Sequence, residues 1–410
     1  MTHQSPGQIS PCIDSRASKA LSSSALERVH LDHAASTPVD PRVSESMQRW
    51  WRENYANPSS RHAAGVAASE ALDEARRRIA RATGAQAGLI VFTSGATEAN
   101  NLAVFGHARA RMGRGRHVLV GPLDHPSTRM PALQLAEEGF EVEELSLDSS
   151  GALDLEEAQA RVRPDTVLVT QMFANNEFGC VFPIRELTRI VRRTAPHAAV
   201  HIDAVQALGK IELDIELLGI DSLSISGHKV NGPKGAGALI RANDAPIQAL
   251  IHGGGQEAGL RGGTQDVPSI CGLGHAVKLA EDEREESSAR MGELMQSLRT
   301  GIIQRDLGRI IDPGAPKQDM LPNIISVIIE GPPAEVFLHH LDARGLAASA
   351  GSACQASKKS MNPALFALGL KEEEARRVLR LSIGKVTSQE EIQRGIQILD
   401  EVRSELANIA

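Results

Sequence analysis

The chain has 410 residues, enough for two domains and a large core, with 41% hydrophobic and 23% charged residues. Its net charge of -7 gives neither nucleic acid nor an anionic membrane an electrostatic reason to be the main partner. No apolar run reaches the ~18 residues that would read as a membrane span.

Residues 1–28 are rich in serine and lack the apolar core of a secretory signal. They read as a poorly ordered extension, with an organelle transit peptide as the second reading. From about residue 67 helices and strands alternate. "AASEALDEARRRIARATG" has helical spacing and closes at Gly84, a C-cap. "LIVFT" (89–93) is a short strand, followed by the helical "EANNLAVFGHARARM". Then come the strand "HVLVG" (117–121), a helix over 128–138, "FEVEEL", the helix "LEEAQARV" and the strand "TVLVTQMF" (166–173). A helix over 183–194 and the strands "AAVHID" (198–203), "DSLSIS" (221–226) and "GALI" (237–240) complete the pattern.

Short apolar strands between amphipathic helices predict an α/β domain with a mostly parallel sheet covered on both faces. A long helical stretch from 267 to about 304 leads out of it. "NIISVIIEG", "AEVFLHHLDARG", "RRVLRLSIG" and a last helix then fit a smaller α+β domain. The expected division is 29–285 for the large domain and 286–410 for the small one, with the first residues of the large domain able to pack with the small one. Cys12, Cys180, Cys271 and Cys354 show neither a C-x-x-C pair nor zinc-ligand spacing. That predicts free thiols in a reducing compartment, the cytoplasm.

Ligands of open α/β sheets bind beyond the carboxyl ends of the strands. After "LIVF" stands Thr93-Ser94-Gly95-Ala96-Thr97-Glu98, a small-residue turn opening a helix, which suits a phosphate but also resembles any N-cap. The next strand ends carry Asp124-His125, Asn175-Asn176-Glu177, Asp203-Ala204-Val205-Gln206 and Ser226-Gly227-His228-Lys229. Burying such a polar set without a ligand would be costly. The sequence holds no H-E-x-x-H, no P-loop and no dinucleotide fingerprint. Pyridoxal 5'-phosphate matches what is present: a lysine for its aldehyde, a helix end for its phosphate and a carboxylate for its ring nitrogen. Lys229 and Asp203 are the residues expected to serve it.

These segments resemble the cysteine desulfurases, fold-type I pyridoxal-phosphate enzymes of the class V aminotransferase group, in the NifS-like branch. The matching motifs are "HLDHAASTPVDPRV" (30–43), "NPSSRHAAG" (57–65), "FTSGATEANNLA" (92–103) and "NNEFG" (175–179). They continue with "HIDAVQ" (201–206), "SGHKVNGPKGAGAL" (226–239), "GGGQEAGLRGGT" (253–264) and "SAGSACQAS" (349–357). The resemblance implies that Lys229 forms the Schiff base, that Asp203 pairs with the ring nitrogen, and that His125 stacks on the ring and shuttles protons. It places Asn176 and Gln206 near the ring hydroxyl, and Ala96, Thr97, Ser226 and His228 on the phosphate. Thr264 would reach the phosphate of a partner subunit, which implies a homodimer. Arg380 would grip the substrate carboxylate, a task suited to its planar fork.

Cys354 lies in "AASAGSACQASKKSMNPA", whose small polar residues read as a mobile loop over 349–362. Cys180 and Cys271 have apolar flanks and read as core residues, and Cys12 falls in the extension. The implied reaction converts L-cysteine to L-alanine and leaves a persulfide on Cys354. That sulfur would go to an acceptor protein such as an iron–sulfur scaffold. Since an ordinary thiol has a pKa of roughly 8.5, its proton must be removed, with His125 and the substrate amine as the two candidate bases.

His33 stands where the family usually has tyrosine, near the site entrance, and Ala258 where a basic residue is common. The chain ends at Ala410 without the longer tail of the housekeeping relatives, which leans towards a specialised or nitrogen-fixation-type role. The alternatives kept open are selenocysteine lyase, a class V aminotransferase, and a catalytically silent binding protein. An aminotransferase has no use for a loop cysteine, and silence is at odds with a complete set of Lys229, Asp203, His125, Arg380 and Cys354.

Overall fold

The computed structural model describes residues 28–313, 319–351, 365 and 368–407. Cys12, Cys354 and most of the 349–362 loop lie outside the described residues. Runs too short for helices form the first strands: β1 (Val29–His30), β2 (Ile90–Thr93), β3 (His117–Val120), β4 (Glu141–Glu144), β5 (Thr166–Met172), β6 (Ala199–Asp203), β7 (Ser222–Ser226) and β8 (Gly237–Arg241).

Seven of these make one sheet in the order β2-β8-β7-β6-β5-β3-β4. The pairs among β4, β3, β5, β6 and β7 are parallel, and β8 runs antiparallel to both β7 and β2. β5, β6 and β7 are buried along their whole length, because helices cover both faces. The helix Ala96–Arg111 lies across β5 to β8 on one side. On the other, Pro41–Arg52 and Ala63–Thr83 pack against Val267–Asp282. Edge strand β4 carries Glu141, Glu143 and Glu144, charges that discourage pairing with another chain.

The helical stretch expected over 267–304 is broken at Glu283 into Val267–Asp282 and Arg284–Gln304. The first half belongs to the core of the large sheet. The second gives Met291, Leu294 and Leu298 to a separate core, which it shares with Val29 and Leu31. That second core covers a four-stranded antiparallel sheet. The remaining strands are β9 (Arg309–Ile311), β10 (Ile324–Ile328), β11 (Leu346–Ala347), β12 (Ser349–Ala350) and β13 (Val378–Ser382), and all but β11 form that sheet, in the order β12-β13-β10-β9. β11 stands apart and pairs in parallel with β1, so the first described residues are bound to the C-terminal part of the chain. No described helix is long and apolar enough to cross a membrane.

Candidate active site

β2, β3, β5, β6 and β7 point the same way, since β8 is antiparallel to its neighbours on either side. Their carboxyl ends therefore gather along one edge. A cavity of about 590 Å³ opens there, closed on its far side by Ser349, Ala350, Gly351 and Arg380.

Ala96, Thr97, His125, Asn176, Asp203, Gln206, Ser226, His228, Lys229 and Arg380 all line this cavity. Thr264 does not. It is exposed, in the glycine-rich segment that leads into the helix Val267–Asp282, and it lies outside the cavity of its own chain. Cys354 lies outside the described residues, but Ser349–Gly351, which lead to it, border the cavity. His33 is corrected from the expectation of an entrance position. Its side chain is 4% exposed, packed behind the cavity against Gly384, with Nε2 3.4 Å from Thr387 Oγ1. Burial first, then His30, lowers its pKa to about 4.

Two groups of residues in the lining differ in character. One is the start of Ala96–Arg111, where Gly95 caps the helix without a side-chain hydrogen bond. The first-turn N–H groups have no intrahelical acceptor and sit at the positive end of the helix. Ser226 and His228 stand on the same rim. His228 is held neutral, its pKa lowered to about 4 by burial and then by Lys229 and Lys234. The rim is braced by Glu98, which accepts from Ser94 N–H at 2.8 Å and from Arg261 Nε at 2.9 Å. Glu257 braces it from below, accepting from Phe92 N–H at 2.8 Å and from Arg76 Nη2 at 2.7 Å. Ala258, next to it, has a left-handed backbone with φ 55°.

The other region is the floor. Asp203, 6% exposed, ends β6 and accepts from Val205 N–H at 3.0 Å and from Asn100 Nδ2 at 2.8 Å. His125 caps the helix Pro126–Glu137, its Nδ1 accepting from Ser127 N–H at 3.1 Å. Burial is the main cause that lowers its pKa, and Lys229 adds to it. Lys229 Nζ donates to Ala34 O at 2.6 Å and Ala35 O at 3.0 Å, and Gln206 Nε2 donates to Ala34 O at 3.1 Å. Arg380 comes from β13 and donates to Asp32 Oδ1 at 2.8 Å and Asn176 O at 3.0 Å.

A phosphate-sized helix end, a buried carboxylate and a lysine thus share one pocket. The class-V aminotransferase family model matches residues 29–394. The chain belongs to that family, among the cysteine desulfurases. It is 39% identical to cysteine desulfurase IscS 1 of Archaeoglobus fulgidus, over 93% of this chain and 98% of that one. Among solved structures it resembles a NifS-like protein with a TM-score of 0.86 and 36% identity, covering 92% of this chain and all of the other. SspA in complex with cysteine is similar at 35% identity and a TM-score of 0.76, over 88% of this chain and 99% of that one. Enzymes of this family use pyridoxal phosphate.

The donor set fits that cofactor. An uncapped helix start suits a doubly charged phosphate. Asp203 is held in a fixed orientation by two donors, as a partner for a protonated ring nitrogen must be. Cys180 and Cys271 lie apart from the cavity lining, and burial raises their pKa values to about 12 and about 11. Neither is a nucleophile in waiting. Asn100 and Asp32 were not singled out by sequence reasoning, because each acts on a residue far from it in the chain.

Proposed function

We propose that the chain takes the sulfur of L-cysteine, releases L-alanine and carries the sulfur as a persulfide on Cys354 to an acceptor protein such as an iron–sulfur scaffold. The observation that carries this reading is Arg380 and Lys229 lining one cavity, bordered by the residues that lead to Cys354. Kinship with proteins named cysteine desulfurase supports it, as does a relative solved with cysteine.

Lys229 would hold pyridoxal phosphate through its amine, Asp203 through the ring nitrogen, and Ala96, Thr97, Ser226 and His228 through the phosphate. When bound, the cofactor supplies an electron sink that stabilises negative charge at the substrate's α-carbon. Arg380 would fix the substrate carboxylate and so the side of the cavity on which the thiol group lies. Lys229, once released, would take the α-proton. The Cys354 thiolate then bonds to the substrate sulfur as that sulfur's bond to carbon breaks. The carbon regains a proton, and cysteine plus thiol become alanine plus persulfide with no outside oxidant. Thr264, exposed in its own chain, would serve the phosphate site of a second copy in a homodimer. Free Cys180 and Cys271 fit a cytoplasmic setting.

The test is to incubate the holoenzyme with L-cysteine without reductant and measure alanine and protein-bound persulfide, with Cys354→Ala alongside. Alanine and about one persulfide per chain, both lost in the variant, are expected. Equal alanine from both proteins would overturn the assignment of Cys354 and favour a lyase or transaminase.

A further inference from the structure

A continuous hydrogen-bonded chain runs under the sheet from Arg111 to Asp203. Arg111 Nη1 lies 3.2 Å from His107 Nδ1, and His107 Nε2 lies 3.0 Å from Ser222 Oγ. Ser222 Oγ is 2.9 Å from His201 Nδ1, and His201 Nε2 is 3.0 Å from Asn100 Oδ1. Asn100 Nδ2 closes the chain on Asp203 Oδ2 at 2.8 Å. A branch leaves the same amide for Ser127 Oγ at 2.8 Å, which lies 2.8 Å from His125 Nδ1. His107, His201, Asn100 and Ser222 are all at most 1% exposed.

We propose that Asn100 is a positioning residue that orients Asp203 and, through Ser127, helps fix the tautomer of His125, and that His125 in consequence presents an Nε2–H donor to the reacting centre and is not a base there. Donor counting fixes every link. A guanidinium only donates, so His107 Nδ1 accepts and its proton sits on Nε2. Ser222 Oγ could accept from both rings, so His201 is fixed from its other side: Asn100, whose amide nitrogen donates to Asp203, presents its oxygen to His201 Nε2, which must donate, and the bare Nδ1 of neutral His201 takes the hydrogen of Ser222 Oγ. His201 carries its proton on Nε2 and donates to Asn100 Oδ1, which also accepts from Ser224 Oγ. The amide's two hydrogens are left for Asp203 and Ser127. All bonds point one way, from a cation to a carboxylate, so each polarises the next.

At the branch, Ser127 Oγ accepts from Asn100 and has its hydrogen free for His125 Nδ1, which the backbone fixes as an acceptor. The Ser127 backbone N–H, which can only donate, meets the same nitrogen. With two donors on Nδ1, the proton of neutral His125 belongs on Nε2, the ring nitrogen without a hydrogen bond to any described residue. Burial keeps all three rings neutral, lowering His107 and His201 to about 3 and His125 below its ordinary value. Of the two candidate bases for the Cys354 thiol, only the substrate amine is left. That last step rests on the desulfurase reading above; the proton placement does not.

The test is long-range 1H–15N correlation on holoenzyme labelled with 15N-histidine at neutral pH, with His125→Gln, His107→Gln and His201→Gln to assign signals. His125, His107 and His201 are expected each to show a bare Nδ1 and a protonated Nε2. A proton on His125 Nδ1, or an imidazolium there, would overturn the proposal. In Asn100→Leu, of similar volume but without donors, the fixed tautomer of His201 should give way to a mixture, while His125 keeps the Ser127 backbone N–H on Nδ1 and its preference for Nε2–H should only weaken. The same variant should lower kcat at least ~10-fold, the scale of one hydrogen bond to a charged group, with little change in KM. Asn100→Leu with unchanged tautomers and kcat would also overturn it. If that variant does not fold, the wild-type spectrum alone decides. Expected tautomers in a protein that makes no alanine from cysteine would sink the desulfurase reading alone. Alanine formation with His125 protonated at Nδ1 would sink this assignment alone.

Discussion

Arg380 donates to Asp32 Oδ1 at 2.8 Å before any substrate arrives, and the same oxygen accepts from Ser349 Oγ at 2.8 Å. The guanidinium is only 7% exposed and is also tied to Asn176 O. Its plane is thus set by two fixed acceptors, and the remaining N–H groups are available to a carboxylate. A lysine would offer one point of charge where three partners at different angles need separate donors. Arg380→Lys should therefore raise KM for L-cysteine by about 10- to 100-fold, the scale of one lost charge-assisted hydrogen bond, while kcat changes far less. Steady-state kinetics decide the matter. A fall in kcat at unchanged KM would place Arg380 outside substrate binding.

Lys229 should be the one covalent attachment of the cofactor. Borohydride reduction followed by denaturation is expected to leave pyridoxal phosphate on the wild type and none on Lys229→Ala. Peptide mapping should find the label on the segment holding Lys229. Label on Lys234, which also lines the cavity, would reassign the attachment.

Gly237 is where β8 passes beneath the helix start. A Cβ there would lie 2.7 Å from the Gly95 Cα and 2.7 Å from the Ile225 carbonyl oxygen. Both are backbone, so neither can step aside cheaply. Gly237→Ala should cost about 1–3 kcal/mol of stability by overpacking. It should also weaken cofactor binding, because the displaced atoms shape the phosphate end of the cavity. Fluorescence titration of apoenzyme with pyridoxal phosphate, beside thermal melts, separates the two effects. A Kd equal to wild type would mean the helix start does not hold the phosphate.

Asp124 gives the fold a pH dependence of unusual sign. Burial pushes its carboxyl up to about 7 from an ordinary 3.8, against the pull of hydrogen bonds from Thr170 Oγ1 and Met172 N–H. Between these two values the folded chain keeps a proton that the unfolded chain has lost. The stability from this group is complete below the unfolded value, declines as pH rises through the folded value, and is flat above it. Melts of the apoprotein at pH 5 and pH 8 should differ more in the wild type than in Asp124→Asn. An identical difference in both would mean that Asp124 is ionised throughout.

The strand-end residues were legible because parallel strands bring their carboxyl ends to one edge whatever the details of packing. Asp203, His125, Asn176 and Lys229 needed no more than that. The reversed direction of β8 was not read from "GALI". Yet only ten residues separate Ser226 from Gly237, too few for the crossover that a parallel neighbour requires. Asn100 was hidden for a different reason. In "EANNLAV" it looks like an ordinary helical polar residue, and only the docking of that helix on β6 and β7 shows which asparagine is turned inward. His33 sits beside three cavity-lining residues in sequence, and the local backbone, not its chemistry, turns it to the other side.

The segment from Val29 to Thr37 touches both halves of the molecule. β1 pairs with β11, Leu31 lies in the second core, and Asp32 holds Arg380. A few residues on, Ala34 and Ala35 accept from Lys229, and Thr37 donates to the His228 carbonyl. The residue that would hold the cofactor and the one that would hold the substrate carboxylate are therefore fastened to one short stretch of backbone, with Asp32 and Ala34 two residues apart. Their spacing is set by that stretch like the jaws of a caliper. A change in how the C-terminal part sits on the large sheet would be felt at the lysine through these carbonyls, without passing through the sheet at all.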